Sequence, residues 1–238
     1  MSPRFPRETD TYEIEGLSAV MEYLRHRPQA ITCLYHQEAL PGSLNPWIKT
    51  IPTKAVSKEQ AQGKNRAIWA TVNITSLDET DLYTSVATTM PATILALDHL
   101  QDPHNLGAIA RSAAFFGVQH ILAPDRRQVL LTPASIKTSQ GAFAVTDLYT
   151  VTNLVRTLKK LKEQGYWIVG TDMQGEPIEK VSKQFDKRVL VMGNEGTGLA
   201  NLVRRNCDAM AKIPTPSAKL DSLNVSVATG IFLYELMG

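Results

Sequence analysis

From residue 94 onward, the chain alternates short, continuously apolar runs with segments of helical periodicity, and this alternation restricts the fold more than any other feature. Continuously apolar strands are typical of a sheet covered on both faces, and strand–helix alternation is typical of parallel sheets. The predicted strands are residues 94–97, 120–123, 167–170, 189–192 and 209–213. The predicted helices are residues 106–116, 151–162, 199–206 and 223–237. We therefore expect an α/β domain with a parallel sheet in residues 91–238.

A second, smaller α/β unit is predicted upstream, in residues 12–75. Apolar residues at helical spacing predict a helix in residues 14–26, and apolar runs predict strands at 30–35 and 68–74. Residues 36–47 contain two prolines and a glycine, so we expect that stretch to be mostly loop.

Polar segments are expected on both sides of this unit. Residues 1–11 are rich in proline and charge, which predicts a flexible tail. Residues 76–90 are rich in Thr, Ser and Asp, and Pro91 follows them. This composition predicts a linker with at most one weak helical turn near residues 82–86.

The charge balance excludes a nucleic-acid interaction that depends on the overall field of the protein. The chain carries 25 Lys and Arg against 23 Asp and Glu, which gives a formal net charge of +2. Any polyanion must therefore meet a local basic patch rather than a uniformly basic surface.

Composition also favours a cytoplasmic protein. No apolar run approaches the ~18 residues that a membrane helix needs, and the first residues lack the apolar segment of a secretory signal. Two cysteines, Cys33 and Cys207, are too few for a disulfide framework or a zinc cluster. The five histidines show no metal-ligand spacing, so we expect neither a metal site nor a membrane partner.

The first segment with candidate chemistry, DHLQDPHNLGAIAR at residues 98–111, directly follows a predicted strand. In open α/β sheets, ligands bind at the carboxyl ends of the strands. Asn105 is well placed to cap the next helix, Gly107 permits close approach of another backbone, and Arg111 lies six residues beyond Asn105. An ordinary Asn cap followed by a solvated Arg is the structural alternative, and this segment alone favours it.

The second segment, VLVMGNEGTGL at residues 189–199, runs from a buried strand into a turn with Gly193, Gly196 and Gly198. Such glycines let backbone groups face a ligand. No Lys-Ser or Lys-Thr follows, so the turn is not a triphosphate-binding loop. Glu195 stands where the dinucleotide fingerprint has its middle glycine, which disfavours a nicotinamide-dependent dehydrogenase. A plain turn with a solvated Glu195 is the alternative.

The third segment, IPTPSAKLDSLNVSV at residues 213–227, precedes a long apolar helix. Asp221 and Ser222 are typical of a helix start. Ser222 and Asn224 are polar residues at the beginning of a helix that otherwise faces a core. Simple helix capping is again the alternative when the segment is considered alone.

Together and in this order, the three segments resemble the SpoU family of RNA ribose 2′-O-methyltransferases, within the SPOUT superfamily. The resemblance covers residues 91–238 and includes the stretch SQGA at 139–142 and the strand WIVGTD. The upstream unit looks like a short relative of the ribosomal-protein-like RNA-binding domain that often precedes this catalytic domain. It is therefore expected to bind the RNA substrate.

The resemblance implies a parallel-sheet domain with a trefoil knot, a homodimer with active sites at its interface, and S-adenosylmethionine as the methyl donor. Residues that match the family's cofactor-binding positions are Gly193, Glu195, Gly198, Ile213, Ser222 and Leu223. The apolar residues of the last helix suggest that the dimer buries residues 223–237, because one helix face does not need all of Val225, Val227, Ile231, Phe232 and Leu236.

The same resemblance implies a catalytic set of Arg111, Asn105, Glu195, Ser222 and Asn224. An arginine side chain stays protonated in proteins, so we expect Arg111 to bind a phosphate and stabilise the developing alkoxide. Asn105 would hold Arg111 or the ribose, and Glu195 would fix the glycine-rich turn and orient the Asn105 segment. Ser222 and Asn224 would shape the cofactor and ribose contacts. The proton acceptor is left open.

The sequence therefore predicts methyl transfer from S-adenosylmethionine to a ribose 2′-hydroxyl in structured RNA. Ribosomal RNA is favoured because of the additional N-terminal unit. A tRNA ribose methyltransferase is the alternative within the same class, and a catalytically silent RNA-binding or assembly protein is the alternative from another class.

Overall fold

The computed structural model describes residues 9–57, 67–126, 128–182, 184–216 and 222–237, which form two β-sheets with helices packed around them. The strands are β1 (Thr9–Glu15), β2 (Ile31–His36), β3 (Thr53–Ala55), β4 (Ile68–Thr75), β5 (Thr93–Leu97), β6 (His120–Pro124), β7 (Asp147–Val151), β8 (Trp167–Pro177), β9 (Arg188–Met192) and β10 (Ala209–Lys212). The α-helices are α1 (Leu17–His26), α2 (Asn45–Ile48), α3 (Glu79–Thr89), α4 (Pro103–Phe115), α5 (Pro133–Ser139), α6 (Leu154–Glu163), α7 (Ile178–Val181), α8 (Asn201–Arg204) and α9 (Val225–Met237). Within the described ranges, no helix combines the length and apolar character that crossing a membrane requires.

The larger sheet has the strand order β10-β8-β9-β5-β6-β7, and its strand pairs are parallel. Alternate residues of β5 enter opposite cores: Leu95 and Leu97 pack with α4 and α9, whereas Ile94 and Ala96 pack with α3 and α6. Both faces are therefore buried, which explains why the strands are apolar at every position. The predicted doubly covered parallel sheet is confirmed, while the trefoil knot stays a prediction.

The smaller sheet has the order β1-β4-β2-β3, in which β4 is antiparallel to both neighbours and β3 is parallel to β2. Helix α1 covers one face with the buried side chains Val20, Tyr23 and Leu24. These residues belong to the same apolar cluster as Leu106 and Ile109 of α4. One core is therefore continuous between the two sheets.

Direct contacts hold the smaller sheet and α1 against the β7 side of the larger sheet. Arg27 Nη2 donates to Asp147 Oδ1 over 2.6 Å, and Tyr12 Oη donates to the Leu131 carbonyl over 3.4 Å. A Cβ on Gly141, whose φ is +91°, would lie only 2.9 Å from Ala19 Cα. The contact between the two units thus includes a close backbone approach that only glycine permits.

The N-terminal expectations need correction. Residues 1–8 lie outside the described residues, but β1 begins at Thr9, within the expected tail, and includes Ile14, which was assigned to a helix. The helix begins at Leu17, after Gly16 with φ +88°. The helical spacing gave a wrong prediction because the conformation of this segment depends on its pairing with β4. That pairing places Ile14 opposite Ala70.

The expected linker is also wrong. Residues 79–89 form α3, whose first turn is capped by the Asp78 side chain accepting from Thr80 N–H and Asp81 N–H. Leu82 and Val86 are fully buried or nearly so against the larger sheet. The polar composition did not predict this helix because only the narrow apolar stripe of Leu82 and Val86 faces the core. The segment is a layer of the larger domain rather than a connection between domains.

Several further boundaries differ from the expectations. Residue 151 ends strand β7 instead of beginning a helix, and α6 starts at Leu154 behind an Asn153 cap. Helix α5 was not predicted because it is short and polar, and β8 continues well beyond residue 170. The expected helix at 199–206 is reduced to α8. The predicted loop at 36–47 contains a 3₁₀ turn and the start of α2.

Gly107 provides a test of how tightly α4 packs on α5. A Cβ at this position would lie 2.4 Å from the Ser135 carbonyl oxygen and 2.7 Å from Thr138 Cβ. We expect Gly107→Ala to lower the free energy of unfolding by about 1–3 kcal/mol, because the backbone of α5 cannot move aside easily. Denaturant unfolding measures the difference.

Gly230→Ala is the matched control in α9. Its added Cβ would meet only Ser112 Oγ, at 3.7 Å. Since alanine is the better helix former, we expect unchanged or slightly increased stability, by up to ~1 kcal/mol. Equal unfolding midpoints for wild type and Gly107→Ala would contradict the packing described above.

Candidate active site

Three segments that are distant in sequence meet at the carboxyl edge of the larger sheet. They are the connection from β5 into α4, the glycine-rich turn after β9, and the residues that precede α9. Asn105 Nδ2 donates to Glu195 Oε1 over 2.8 Å, and Asn105 Oδ1 accepts from Asn224 Nδ2 over 3.0 Å. The three predicted residues Asn105, Glu195 and Asn224 therefore form one hydrogen-bonded chain.

Asn105 does not cap α4, contrary to the expectation from the sequence. Asp102 is the N-cap residue, and its carboxylate accepts from the His104 N–H over 2.8 Å, with Pro103 in the first helical position. Proline is pre-organised for that position, so the helix starts two residues before Asn105. Asn105 lies inside the first turn with only 8% of its surface exposed, and its amide is free to link the other two segments.

The glycine-rich turn is closed by Asn194. Its Oδ1 accepts from Gly196 N–H and Thr197 N–H, at 2.9 and 3.1 Å, and its backbone exchanges two bonds of 3.0 Å with Gly198. A Cβ on Gly193 would lie 2.5 Å from the Gly198 carbonyl carbon, so the two arms of the turn touch. The exposed Glu195 at the tip of the turn reaches Asn105. The geometry agrees with the expected link from Glu195 to the Asn105 segment.

Asn224 also starts α9. Its Oδ1 accepts from Ser226 N–H over 2.9 Å and from Ser226 Oγ over 2.6 Å, so one side chain both caps the helix and holds Asn105. Ser222 and Leu223 are exposed and precede the helix instead of opening it. Asp221, which was expected to mark the helix start, lies outside the described residues.

The side chains of Arg111 and the remaining predicted residues are not part of the hydrogen-bonded chain of Asn105, Glu195 and Asn224. Arg111 is exposed on α4 and has no hydrogen bond or ion pair with any residue that the structure describes. The amide of Asn105 contacts Glu195 and Asn224. Of its two expected roles, a bond to Arg111 is not formed among the described residues, and a contact with the ribose stays a prediction. Ile213 is half-buried after β10 and packs against the core. An exposed guanidinium without a partner among the described residues is suited to an anionic ligand such as a phosphate.

Sequence reasoning missed three residues of this edge: Asp98, His99 and Asn194. Asp98 is 1% exposed, and its carboxylate accepts from Ala200 N–H and from His99 Nδ1, each over 2.6 Å. Asn194 Nδ2 donates to the His99 carbonyl over 2.8 Å. The sequence could have indicated Asp98, because a carboxylate directly after a buried apolar strand needs hydrogen-bond donors at the sheet edge.

The site fits a cofactor held largely by backbone groups. The closed turn keeps its peptide groups at the sheet edge, and a Cβ on Gly198, whose φ is +69°, would meet no atom of the described residues within 4 Å. The described part of the chain therefore leaves space beside the turn. Among the described residues of the three segments, the side-chain amides of Asn105, Asn194 and Asn224 can contact a ribose or a purine.

Comparison with known proteins identifies relatives of the whole chain. The model of the SpoU rRNA Methylase family matches residues 92–234. The 23S rRNA (guanosine-2′-O-)-methyltransferase RlmB of Coxiella burnetii is 38% identical over 235 residues, which cover 94% of each chain. The protein of the same name from Pseudomonas aeruginosa is 35% identical and covers 94% of this chain and 95% of its own length.

Solved structures give the same fold. The SpoU methyltransferase AviRb from Streptomyces viridochromogenes, in complex with AdoMet, has a TM-score of 0.77 at 20% identity and covers 95% of this chain and 89% of its own. The A. aeolicus TrmH/SpoU tRNA modifying enzyme has a TM-score of 0.54 at 29% identity and covers 61% of this chain and 74% of its own. The tRNA-modifying relative thus matches a smaller part of the chain.

The link between Asn105 and Glu195 predicts a pH-dependent loss of stability in Asn105→Asp. The substitution places a second carboxylate against Glu195 and removes the amide donor, so the pKa of the introduced carboxyl is raised in the folded state. The folded variant then binds more protons than the unfolded chain, and its stability falls as pH rises. We expect a deficit of about 1–3 kcal/mol at pH 8 that shrinks towards pH 5.

Asn105→Leu is the control, because an apolar side chain of similar size cannot titrate. Its loss of stability relative to wild type should be the same at both pH values. Thermal unfolding of the three proteins at each pH makes the comparison. A deficit of Asn105→Asp that does not change with pH would contradict the contact with Glu195.

Proposed function

The chain belongs to the SpoU rRNA methylase family, and from this membership we propose that it transfers the methyl group of S-adenosylmethionine to the ribose 2′-hydroxyl of a guanosine in 23S rRNA. The observation that carries the proposal is the hydrogen-bonded chain Glu195–Asn105–Asn224 beside the glycine-rich turn and the exposed Arg111. The proposed place of action is the cytoplasm, where the RNA substrate is made.

The relatives that match both the smaller and the larger sheet support ribosomal RNA as the substrate. The RlmB proteins of Coxiella and Pseudomonas are similar to 94% of the chain, whereas the tRNA-modifying relative aligns with 61% of it. The relatives named for 23S rRNA therefore align with the smaller unit as well as with the larger one. We propose that this unit, in residues 12–75 together with β1, binds the RNA substrate.

Cofactor binding is proposed for the glycine-rich turn and the two loops beside it. Backbone groups of Gly193, Gly198, Ile213 and Leu223 would hold S-adenosylmethionine, with the side chains of Glu195 and Ser222 nearby. When bound, this cofactor supplies an electrophilic methyl group on a sulfonium sulfur. The chain itself must orient the ribose and stabilise the negative charge that develops on its oxygen.

Arg111 is the proposed phosphate and alkoxide ligand. Its planar guanidinium can donate to a phosphate and to the neighbouring ribose oxygen at the same time. Because Arg111 is exposed, its guanidinium is accessible to RNA. Asn105 and Asn224 keep the ribose side of the site neutral and rich in hydrogen-bonding groups.

The role of Arg111 predicts a catalytic defect without a cofactor-binding defect. We expect Arg111→Ala to slow single-turnover methylation by ~10²–10³ while calorimetric affinity for S-adenosylmethionine stays unchanged. Arg111→Lys should also be slow, because an ammonium group lacks the planar fork. Lys159→Ala, which removes an exposed cation on α6, is the matched control and should react at the wild-type rate. Wild-type turnover by Arg111→Ala would remove Arg111 from the mechanism.

An exposed apolar stripe supports the proposed homodimer. Val227 is 52% exposed and Tyr234 is 65% exposed, seven residues apart on one face of α9, and Phe115 at the end of α4 is 83% exposed. Of the residues that suggested dimerisation from sequence, Val225, Phe232 and Leu236 are instead buried in the protomer's own core. The case for a dimer therefore depends on the α4–α9 surface of Phe115, Val227 and Tyr234.

Light scattering tests this surface. We expect a mass twice the 26.3 kDa of one chain, and a monomer for the double substitution Val227→Lys with Tyr234→Lys, because burying unpaired charges is unfavourable. Leu202→Lys is the control, since Leu202 is equally exposed, at 65%, but lies on α8. A wild-type protein that remains at the mass of one chain would contradict the dimer.

Methylation of purified RNA tests the proposed function. The protein is incubated with S-adenosylmethionine and either unmodified 23S rRNA or unmodified tRNA, and the nucleosides are then analysed by mass spectrometry. We expect 2′-O-methylguanosine at one position of the rRNA. Product in tRNA alone would establish the tRNA alternative, and cofactor binding without product in either RNA would establish the silent RNA-binding alternative.

A further inference from the structure

A buried carboxylate orients a histidine at the same sheet edge. Asp98 accepts two hydrogen bonds of 2.6 Å, one from the Ala200 N–H and one from His99 Nδ1. A carboxylate can only accept, so the Nδ1 atom of a neutral His99 carries the proton and Nε2 has a free lone pair. No residue in the described part of the chain bonds to Nε2, and 38% of the His99 side chain is exposed. A basic nitrogen without a bond to a described residue is therefore carried by a partly exposed side chain.

The backbone holds His99 in an unfavourable conformation. Its φ is +63°, in the left-handed region that side-chain-bearing residues rarely adopt. Three hydrogen bonds fix the segment: Asp98 N–H to the Met192 carbonyl, Leu100 N–H to Gln128 Oε1, and Asn194 Nδ2 to the His99 carbonyl. Strained conformations that are held by several neighbours are typical of functional sites.

Asn194 connects His99 to the catalytic network. Its Nδ2 lies 2.8 Å from the His99 carbonyl and 3.3 Å from Glu195 Oε2, and Glu195 accepts in turn from Asn105. His99 is thus placed between the end of β5 and the helix that carries Asn105 and Arg111. The Asn194 side chain therefore closes the glycine-rich turn through Oδ1 and bonds the His99 backbone through Nδ2.

We propose that His99 accepts the proton of the ribose 2′-hydroxyl, an inference that rests on the proposed function. As the ribose oxygen bonds to the methyl carbon, the bond from that carbon to sulfur breaks and its electron pair stays on sulfur. The hydroxyl proton passes to His99 Nε2, and the imidazolium that forms is stabilised by the Asp98 carboxylate. The products are the 2′-O-methylated RNA, S-adenosylhomocysteine and protonated His99.

Other groups at this edge suit the role less well. Arg111 stays protonated, and Glu195 is held by Asn105 and Asn194. His104 contacts Thr138 Oγ1 through Nδ1 at 3.0 Å, and no buried carboxylate orients it. Among the described residues, further charged or titratable groups on the segments around residues 98–100 are Asp102, at the start of α4, and Asp125 and Arg126, on the loop that supplies Gln128. On the side of α8, the Cys207 thiol interacts electrostatically with Asp98 and with Arg204.

Single-turnover methylation as a function of pH tests the proposal on the full-length protein. The wild-type rate should rise with pH as the proton acceptor becomes neutral and then level off. His99→Asn keeps a residue that tolerates the left-handed conformation but has no basic nitrogen. We expect this variant to react at least about 10²-fold more slowly than wild type. The low-pH limb, which is the fall in rate at low pH, should disappear, and the calorimetric affinity for S-adenosylmethionine should stay unchanged.

Chemical rescue and two controls separate catalysis from structure. Added imidazole should restore part of the activity of His99→Gly, because the small base can occupy the vacated space beside Asp98. Lys159→Ala on α6 should keep the wild-type rate and the wild-type dependence on pH. His104→Asn should keep the fall in rate at low pH. A His99→Asn variant that keeps the wild-type rate or the low-pH limb would overturn the proposal, as would a parallel loss of cofactor binding. A wild-type protein that methylates no RNA at any pH would instead overturn the proposed function.

Discussion

The active edge of this protein depends on the side-chain amide of Asn105. It donates to Glu195 and accepts from Asn224, so one planar group ties together segments that are about 90 and 119 residues away in the chain. Because the amide is nearly buried, leaving either end without a partner carries a desolvation penalty. The glycine-rich turn and the start of α9 are therefore held in one relative position before any ligand binds.

The charged side chains of the site are arranged around these neutral amides. The amides and backbone groups can surround a cofactor and a ribose without introducing an unpaired buried charge, whereas Arg111 stays in solvent until an anion reaches it. Under the proposed function, a chain with a net charge of only +2 would attract RNA through such local groups rather than through its overall field. The buried Asp98 adds a second polar centre whose charge is balanced by donors from Ala200 and His99.

Sequence patterns predicted the parallel sheet because strands such as β5 are apolar on both faces, and this follows from local composition. They did not predict β1, whose conformation depends on pairing with β4 more than 50 residues away, or α3, which buries only a narrow stripe. The site residues and the link from Glu195 to the Asn105 segment were predicted through family resemblance, but the contact between Asn105 and Asn224 was not. Asparagine is a common N-cap residue, so the sequence favoured Asn105 as the cap of α4. Only the three-dimensional structure shows that Asp102 is the N-cap and that Asn105 instead bonds Glu195 and Asn224.

Ribose-methylation mapping of 23S rRNA from a strain that lacks this protein tests the central claim most directly. Mass spectrometry compares the rRNA of the parent, the deletion strain and the deletion strain that carries the wild-type gene. The account predicts that one guanosine loses its 2′-O-methyl group in the deletion strain and regains it when the gene is restored. An unchanged set of ribose methylations in the 23S rRNA of all three strains would contradict it.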